Sequence, residues 1–181
     1  INKSADWIIS RTGVKERRIS DIDVDKMGAI AAKMALSGGP NPDLVLNASG
    51  VGKQVIPDTS VFFQKELGFD GIPSFTIHAT CLSFLVALNI AATFLSKGTY
   101  KKILIISADR GSRGRNFKQP ESAALLGDAA AAIIIEQTPE NENSKLIDFS
   151  MKTWPEGSDL TEVRGGGTNL HPQDRKTTID D

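Results

Sequence analysis

A single cysteine and two histidines are all that 181 residues provide for redox or metal chemistry. One cysteine makes no internal disulfide, and with two histidines it falls short of a structural zinc site. An excess of one charge is also missing: 21 Lys and Arg against 22 Asp and Glu give a formal net charge of -1. That balance removes the bulk electrostatic case for nucleic acid or a membrane surface as partner. No apolar run reaches the roughly 18 residues of a membrane span. No basic-then-apolar signal peptide opens the sequence, and there are no internal repeats. A cytoplasmic protein is the expectation.

What is present suits a folded chain. Hydrophobic residues make up 40% and charged residues 24%, which argues against disorder. The length corresponds to about 1.2 domains at roughly 150 residues each, enough to bury a core without staples.

The pattern alternates strands and helices. Ser4 can cap a short helix that Gly13 ends. Val14 to Ser20 reads as a short exposed strand. Asp25 to Ser37 reads as an amphipathic helix, with Met27, Ile30, Ala31, Met34 and Ala35 at helical spacing. Leu44-Val45-Leu46 and Ile103 to Ile106 are unbroken apolar runs, as in parallel strands covered on both faces. Between them lie a helix from Pro57-Asp58 to Gly68, a strand from Ser74 to His78 and an apolar helix from Leu82 to Ser96. Ala129 to Ile135 reads as a strand despite four consecutive alanines, because Ile133-Ile134-Ile135 are β-branched. Another strand is expected at Leu146 to Met151, and the chain is loop-like from Trp154 onward. The order predicts an α/β architecture with a largely parallel sheet.

One place concentrates reactive chemistry. Ala79-Thr80-Cys81-Leu82-Ser83 joins a strand to a helix, with small residues two places either side of Cys81. A tight strand-to-helix turn needs small neighbours where the chain reverses. The turn puts the sulfur at the positive end of a helix, a setting that favours thiolate, and backbone N–H groups there can hold an oxyanion. The bland reading, a small buried hydrophobe, stands equally on the pattern alone. His78 and His171 read as ordinary polar residues, and Asp109 as a turn or cap residue. Gly165-Gly166-Gly167 lacks the strand and helix that flank a phosphate loop.

Three stretches together resemble a known family. Asp6 to Arg17 contains Trp7-Ile8, Arg11-Thr12-Gly13 and Arg17, close to the Trp-Ile-x-x-Arg-Thr-Gly-Ile-x-x-Arg signature of β-ketoacyl-acyl-carrier-protein synthase III. Ala79-Thr80-Cys81 resembles that family's active-site turn. Gly127-Asp128 followed by alanines resembles its Gly-Asp-Gly-Ala-Gly-Ala segment. The resemblance implies a thiolase-like α-β-α-β-α sandwich, of which this chain is the N-terminal half without its first strand, with a mixed, mostly parallel sheet. It implies a thiolase-like half at residues 1–153 and a loop-rich segment at 154–181 leading to an absent C-terminal half.

It also implies a chemistry. Cys81 would accept the acyl group of an acyl-CoA primer, and a malonyl-type extender would lose CO2 and attack the acyl-cysteine. A histidine and an asparagine of the C-terminal half would stabilise the extender's enolate. Trp7 would stack on the CoA adenine and Arg11 would contact its phosphate end. Ile56 would close the acyl pocket of a partner subunit in a homodimer paired through Ser74 to His78. The implied partners are acyl-CoA and an acyl carrier protein. No cofactor or metal is expected beyond the CoA thioester as substrate.

Two departures stand out. Pro120-Glu121 replaces the family's Arg-Gly, which weakens the adenine clamp. Ile56 replaces a bulky aromatic, which points to longer or branched primers. Two other readings stay open at this point. One is a cysteine hydrolase using Cys81, Asp109 and His171 in α/β-hydrolase order. The other is a thiolase-like half with no catalysis of its own.

Overall fold

The computed structural model describes residues 2–163, 165, 167 and 168. Helix α1 spans Ala5–Thr12, with the Ser4 hydroxyl accepting from the Trp7 N–H and Gly13 closing it at φ 71°. Helix α2 spans Val24–Leu36. Strand β1 (Leu44–Asn47), helix α3 (Thr59–Leu67) and strand β2 (Ser74–Thr76) follow. A 3-10 turn at Thr80–Leu82 runs into helix α4, Ser83–Ser96. Strand β3 (Lys102–Arg110), the short helix α5 (Pro120–Ala123) and strand β4 (Asp128–Glu136) complete the set.

The sheet order is β2-β1-β3-β4. Strand β1 pairs parallel with β2 and β3, while β4 runs antiparallel to β3. Alternation along each strand feeds two cores. Leu44, Leu46, Ile103 and Ile105 face α4, meeting Ala87, Ala91 and Leu95. Val45, Leu104 and Ile106 face the other way, against Val24, Ala32 and Phe63 of α2 and α3. The unbroken apolar runs of β1 and β3 are thus explained: helices cover both faces of the sheet.

Four expectations need correction. Helix α2 buries Val24, Gly28, Ala29 and Ala32, while Ile30 and Met34 are 52% and 74% exposed. The small face wins because Phe63 stands against it: a Cβ on Gly28 would lie 2.3 Å from Phe63 Cε1 and 3.0 Å from Ile106 Cγ2. Val14 to Ser20 forms no strand. Its groups are met piecemeal, Arg18 O by the Asp128 N–H, the Ser20 N–H by Asp128 Oδ2, and Arg17 Nε by Ala124 O, so no ladder forms. Leu146 to Met151 also carries no strand; Leu146, Ile147 and Met151 are exposed there. The β2 ladder is shorter than expected, ending at Thr76, although the Ile77 N–H still donates to Asn47 O.

Candidate active site

The carboxyl ends of β1, β2 and β3 converge on one polar floor. Fully buried Asn47 donates through Nδ2 to Thr76 Oγ1 at 2.9 Å. Its Oδ1 accepts from the Ser49 N–H and hydroxyl, and Ser49 Oγ accepts from the Ala108 N–H. Two side chains, Asn47 and Ser49, therefore tie the three strands together at this end. Sequence reading passed over Asn47, although a polar residue closing an apolar strand run was the available signal.

Above this floor the loop after β1 is tied down at its base. Asp109 accepts from the Gly50 and Val51 N–H groups at 3.1 and 2.8 Å, the cap role expected for it. Lys53 pairs with the buried Asp25 of α2, and its N–H donates to Thr59 Oγ1. The loop tip carries Val55 and Ile56, each 80% exposed. Strand β2 lies at the edge of the sheet, and among the described strands it pairs with β1 alone. Since Ile77 faces β1, the Thr76 N–H points outward, where Asp58 Oδ2 accepts it at 3.2 Å.

Cys81 is exposed on the 3-10 turn that precedes α4. The buried-hydrophobe reading of this cysteine is therefore wrong. The turn is closed by Leu82 N–H to Ala79 O and by Ser83 N–H to Thr80 O. Those two amides are spent within the turn. Thr80 has φ 49°, a left-handed conformation that costs a β-branched residue on the order of 1–3 kcal/mol. Beside the turn, Leu82, Leu85 and Val86 face Phe149, Ser150, Met151 and Lys152 across a recess of about 140 Å³.

His78 is exposed, and no described hydrogen bond links it to Cys81. His171 lies outside the described residues. Both Asp109 oxygens are engaged by the Gly50 and Val51 N–H groups, which gives Asp109 a structural role that the Cys81–His171–Asp109 reading does not use. The Trp7 ring has the Arg11 guanidinium carbon and Lys3 Nζ each 4.9 Å from its centroid. Trp7 is half-buried and Arg11 exposed, so both reach a surface rim. Pro120 and Glu121 open α5.

Three carboxyls around this frame lie below their ordinary value of 3.8. Burial alone would raise each one. For Asp25 the Lys53 hydrogen bond and charge and the Lys26 N–H outweigh it. For Asp58 the hydrogen bonds from Ser60 and Thr76 do so. For Asp128 the Ser20 and Ser112 hydrogen bonds and the Arg110 charge do so. Folded values below the unfolded ones mean that the ionised forms add stability above pH about 4, lost as pH falls through the folded values. Urea unfolding should give a midpoint that is flat near neutral pH and falls below about pH 4. Asp128→Asn should lower the neutral midpoint and shrink the acid fall. A midpoint independent of pH down to 3 would contradict the assignment.

Comparison with known proteins decides the family. The 3-oxoacyl-[acyl-carrier-protein] synthase III family matches residues 75–155, which run from within β2 through the Cys81 turn and past β4. β-Ketoacyl-[acyl-carrier-protein] synthase III of Syntrophomonas wolfei is 36% identical over 186 residues, covering 99% of this chain and 55% of that protein. The chain belongs to the β-ketoacyl-acyl-carrier-protein synthase III family. The Aliarcobacter butzleri synthase III is 32% identical over 176 residues, with 93% and 52% covered. The crystal structure of the Aquifex aeolicus synthase III superposes with TM-score 0.73 at 32% identity, over 77% of this chain and 47% of that one. The priming β-ketosynthase of the R1128 polyketide pathway gives TM-score 0.69 at 28% identity, over 76% and 43%. This chain spans about half the length of the synthase III relatives it matches and corresponds to their N-terminal half. Its mixed sheet between helices is the thiolase-like α/β/α arrangement of these synthases. Among the described residues no cluster of His, Cys, Asp and Glu is placed to hold a metal. No described helix is long and apolar enough to cross a membrane.

Proposed function

We propose that this chain supplies the nucleophile of an acyltransferase that condenses an acyl-CoA primer with a malonyl-type extender. The observation that carries the reading is Cys81, exposed on the strand-to-helix turn inside the matched segment. The Cys81 thiolate attacks the thioester carbonyl and the CoA thiolate leaves, so the acyl group passes to sulfur. The extender loses CO2, and its enolate carbon attacks the acyl-cysteine. Cys81 leaves as thiolate, and a β-ketoacyl thioester is released. The histidine and asparagine that would steady the enolate belong to the half that the relatives carry beyond this match.

Trp7 and Arg11 are assigned to CoA, the indole to the adenine and the guanidinium to the phosphate end. Arg11 already lies over the indole, so binding adenine on that face requires it to swing toward phosphate. Pro120-Glu121 in place of Arg-Gly weakens the adenine clamp in this reading, which favours an acyl carrier protein as a donor. The bare β2 edge and the projecting Ile56 support a homodimer in which Ile56 closes the partner's acyl pocket. Because Asp58 already takes the Thr76 N–H, strand pairing across that edge has to share or displace this carboxylate. Residues 1–153 form the thiolase-like half in this reading, and 154–181 lead toward the other half.

The test is a condensation assay on the chain completed to its relatives' length, with acyl-CoA and a malonyl thioester. Cys81→Ala should abolish β-ketoacyl product. Product formed at the unsubstituted rate by Cys81→Ala would overturn the reading.

A further inference from the structure

The Cys81 turn holds a residue where it does not rest by itself. Thr80 sits at φ 49°, and its own hydroxyl turns back to Ala79 O at 2.8 Å. Ser83 is 1% exposed, and its hydroxyl bridges both sides of Thr80. It accepts the Ala79 N–H at 3.0 Å and donates to Thr80 O at 2.7 Å. The Ser83 N–H reaches the same Thr80 carbonyl. Downstream, α4 is anchored by buried Ala87, Ala91 and Leu95. With β2 held on β1 and α4 held in the core, a change in the dihedrals of residue 80 must be compensated at residues 81 and 82, which moves Cys81; Ser83 is the side chain that ties the peptide group before Ala79 to the one after Thr80.

We propose that Ser83 is a positioning residue for the nucleophile: its buried hydroxyl holds Thr80 left-handed and so aims Cys81 outward at the head of α4. This rests on the reading of Cys81 as the acyl acceptor. If the hydroxyl is removed, Thr80 relaxes toward negative φ, the peptide between residues 80 and 81 rotates, and the sulfur leaves the helix end. The alternative is that Ser83 only stabilises the start of α4. The two roles differ in what glycine at position 80 does, because glycine adopts φ 49° without steric cost and needs no fastening.

The experiment is the rate of Cys81 alkylation by iodoacetamide in the folded chain, where this is the sole thiol. Ser83→Ala should slow alkylation by about three- to tenfold, the effect of losing roughly one net hydrogen bond from the competent turn. Thr80→Gly should react at the unsubstituted rate and unfold at a higher urea concentration. Thr80→Gly with Ser83→Ala should recover most of the lost rate. An unchanged rate in Ser83→Ala, or no recovery in the double variant, overturns the proposal. If Ser83→Ala does not fold, Thr80→Gly still decides, since a lowered urea midpoint contradicts a strained Thr80. Acyl-CoA labelling separates this from the parent reading: an acyl group on another residue sinks the function and leaves the turn result intact.

Discussion

Phe63→Ala is expected to lower stability by about 3–5 kcal/mol, a large part of the 5–15 kcal/mol of a typical domain. Phe63 is fully buried and packs with Val24 and Ala32 of α2 and with Val45, Leu104 and Ile106 of the sheet. Its ring occupies the space where a side chain on Gly28 would stand. Gly28→Ala alone should therefore cost about 1–3 kcal/mol by overpacking, despite the better helix propensity of alanine. In the Phe63→Ala background the same methyl enters the vacated space, and Gly28→Ala should become neutral or stabilising. Urea unfolding of the four chains measures the coupling. Equal costs for Gly28→Ala in both backgrounds would mean that the two residues do not oppose one another.

The chain by itself is expected to make no β-ketoacyl product, even with acyl-CoA and a malonyl thioester in excess. Losing one donor to a developing oxyanion costs roughly a hundred- to thousand-fold in rate, and the reading places both enolate-stabilising residues outside this segment. Within the Cys81 turn the Leu82 and Ser83 N–H groups are already bonded. Mass spectrometry of the reaction mixture detects the product. Turnover by the purified chain near that of the completed protein would show that the condensing groups lie within these residues.

The buried layers were legible because their physics is local. The apolar runs of β1 and β3, the cap at Ser4, the helix start at Pro57-Asp58 and the helix-ending glycines at 13 and 68 all carry short-range signals, and each stands where expected. The strand at Asp128–Glu136 was legible from three isoleucines against four alanines. The buried face of α2 was not, because hydrophobicity favoured Ile30 and Met34 while a distant phenylalanine required glycine and alanine. Val14 to Ser20 misled for a similar reason: Asp128, far along the chain, satisfies its backbone without a ladder. At the candidate site, residue types exposed Cys81 and the cap at Asp109. The Asn47 floor and the Ser83 bridge became visible only with coordinates, since each depends on chain segments brought together by folding or on a dihedral that no residue type announces.

Mapping the acyl group tests the central claim most directly. The completed protein is incubated with an acyl-CoA, without extender, then digested and its peptides sequenced by mass. The acyl mass should fall on Cys81 at up to one group per chain, be released by neutral hydroxylamine as a thioester is, and vanish in Cys81→Ala. An acyl group on any other residue, or undiminished labelling of Cys81→Ala, would contradict the account.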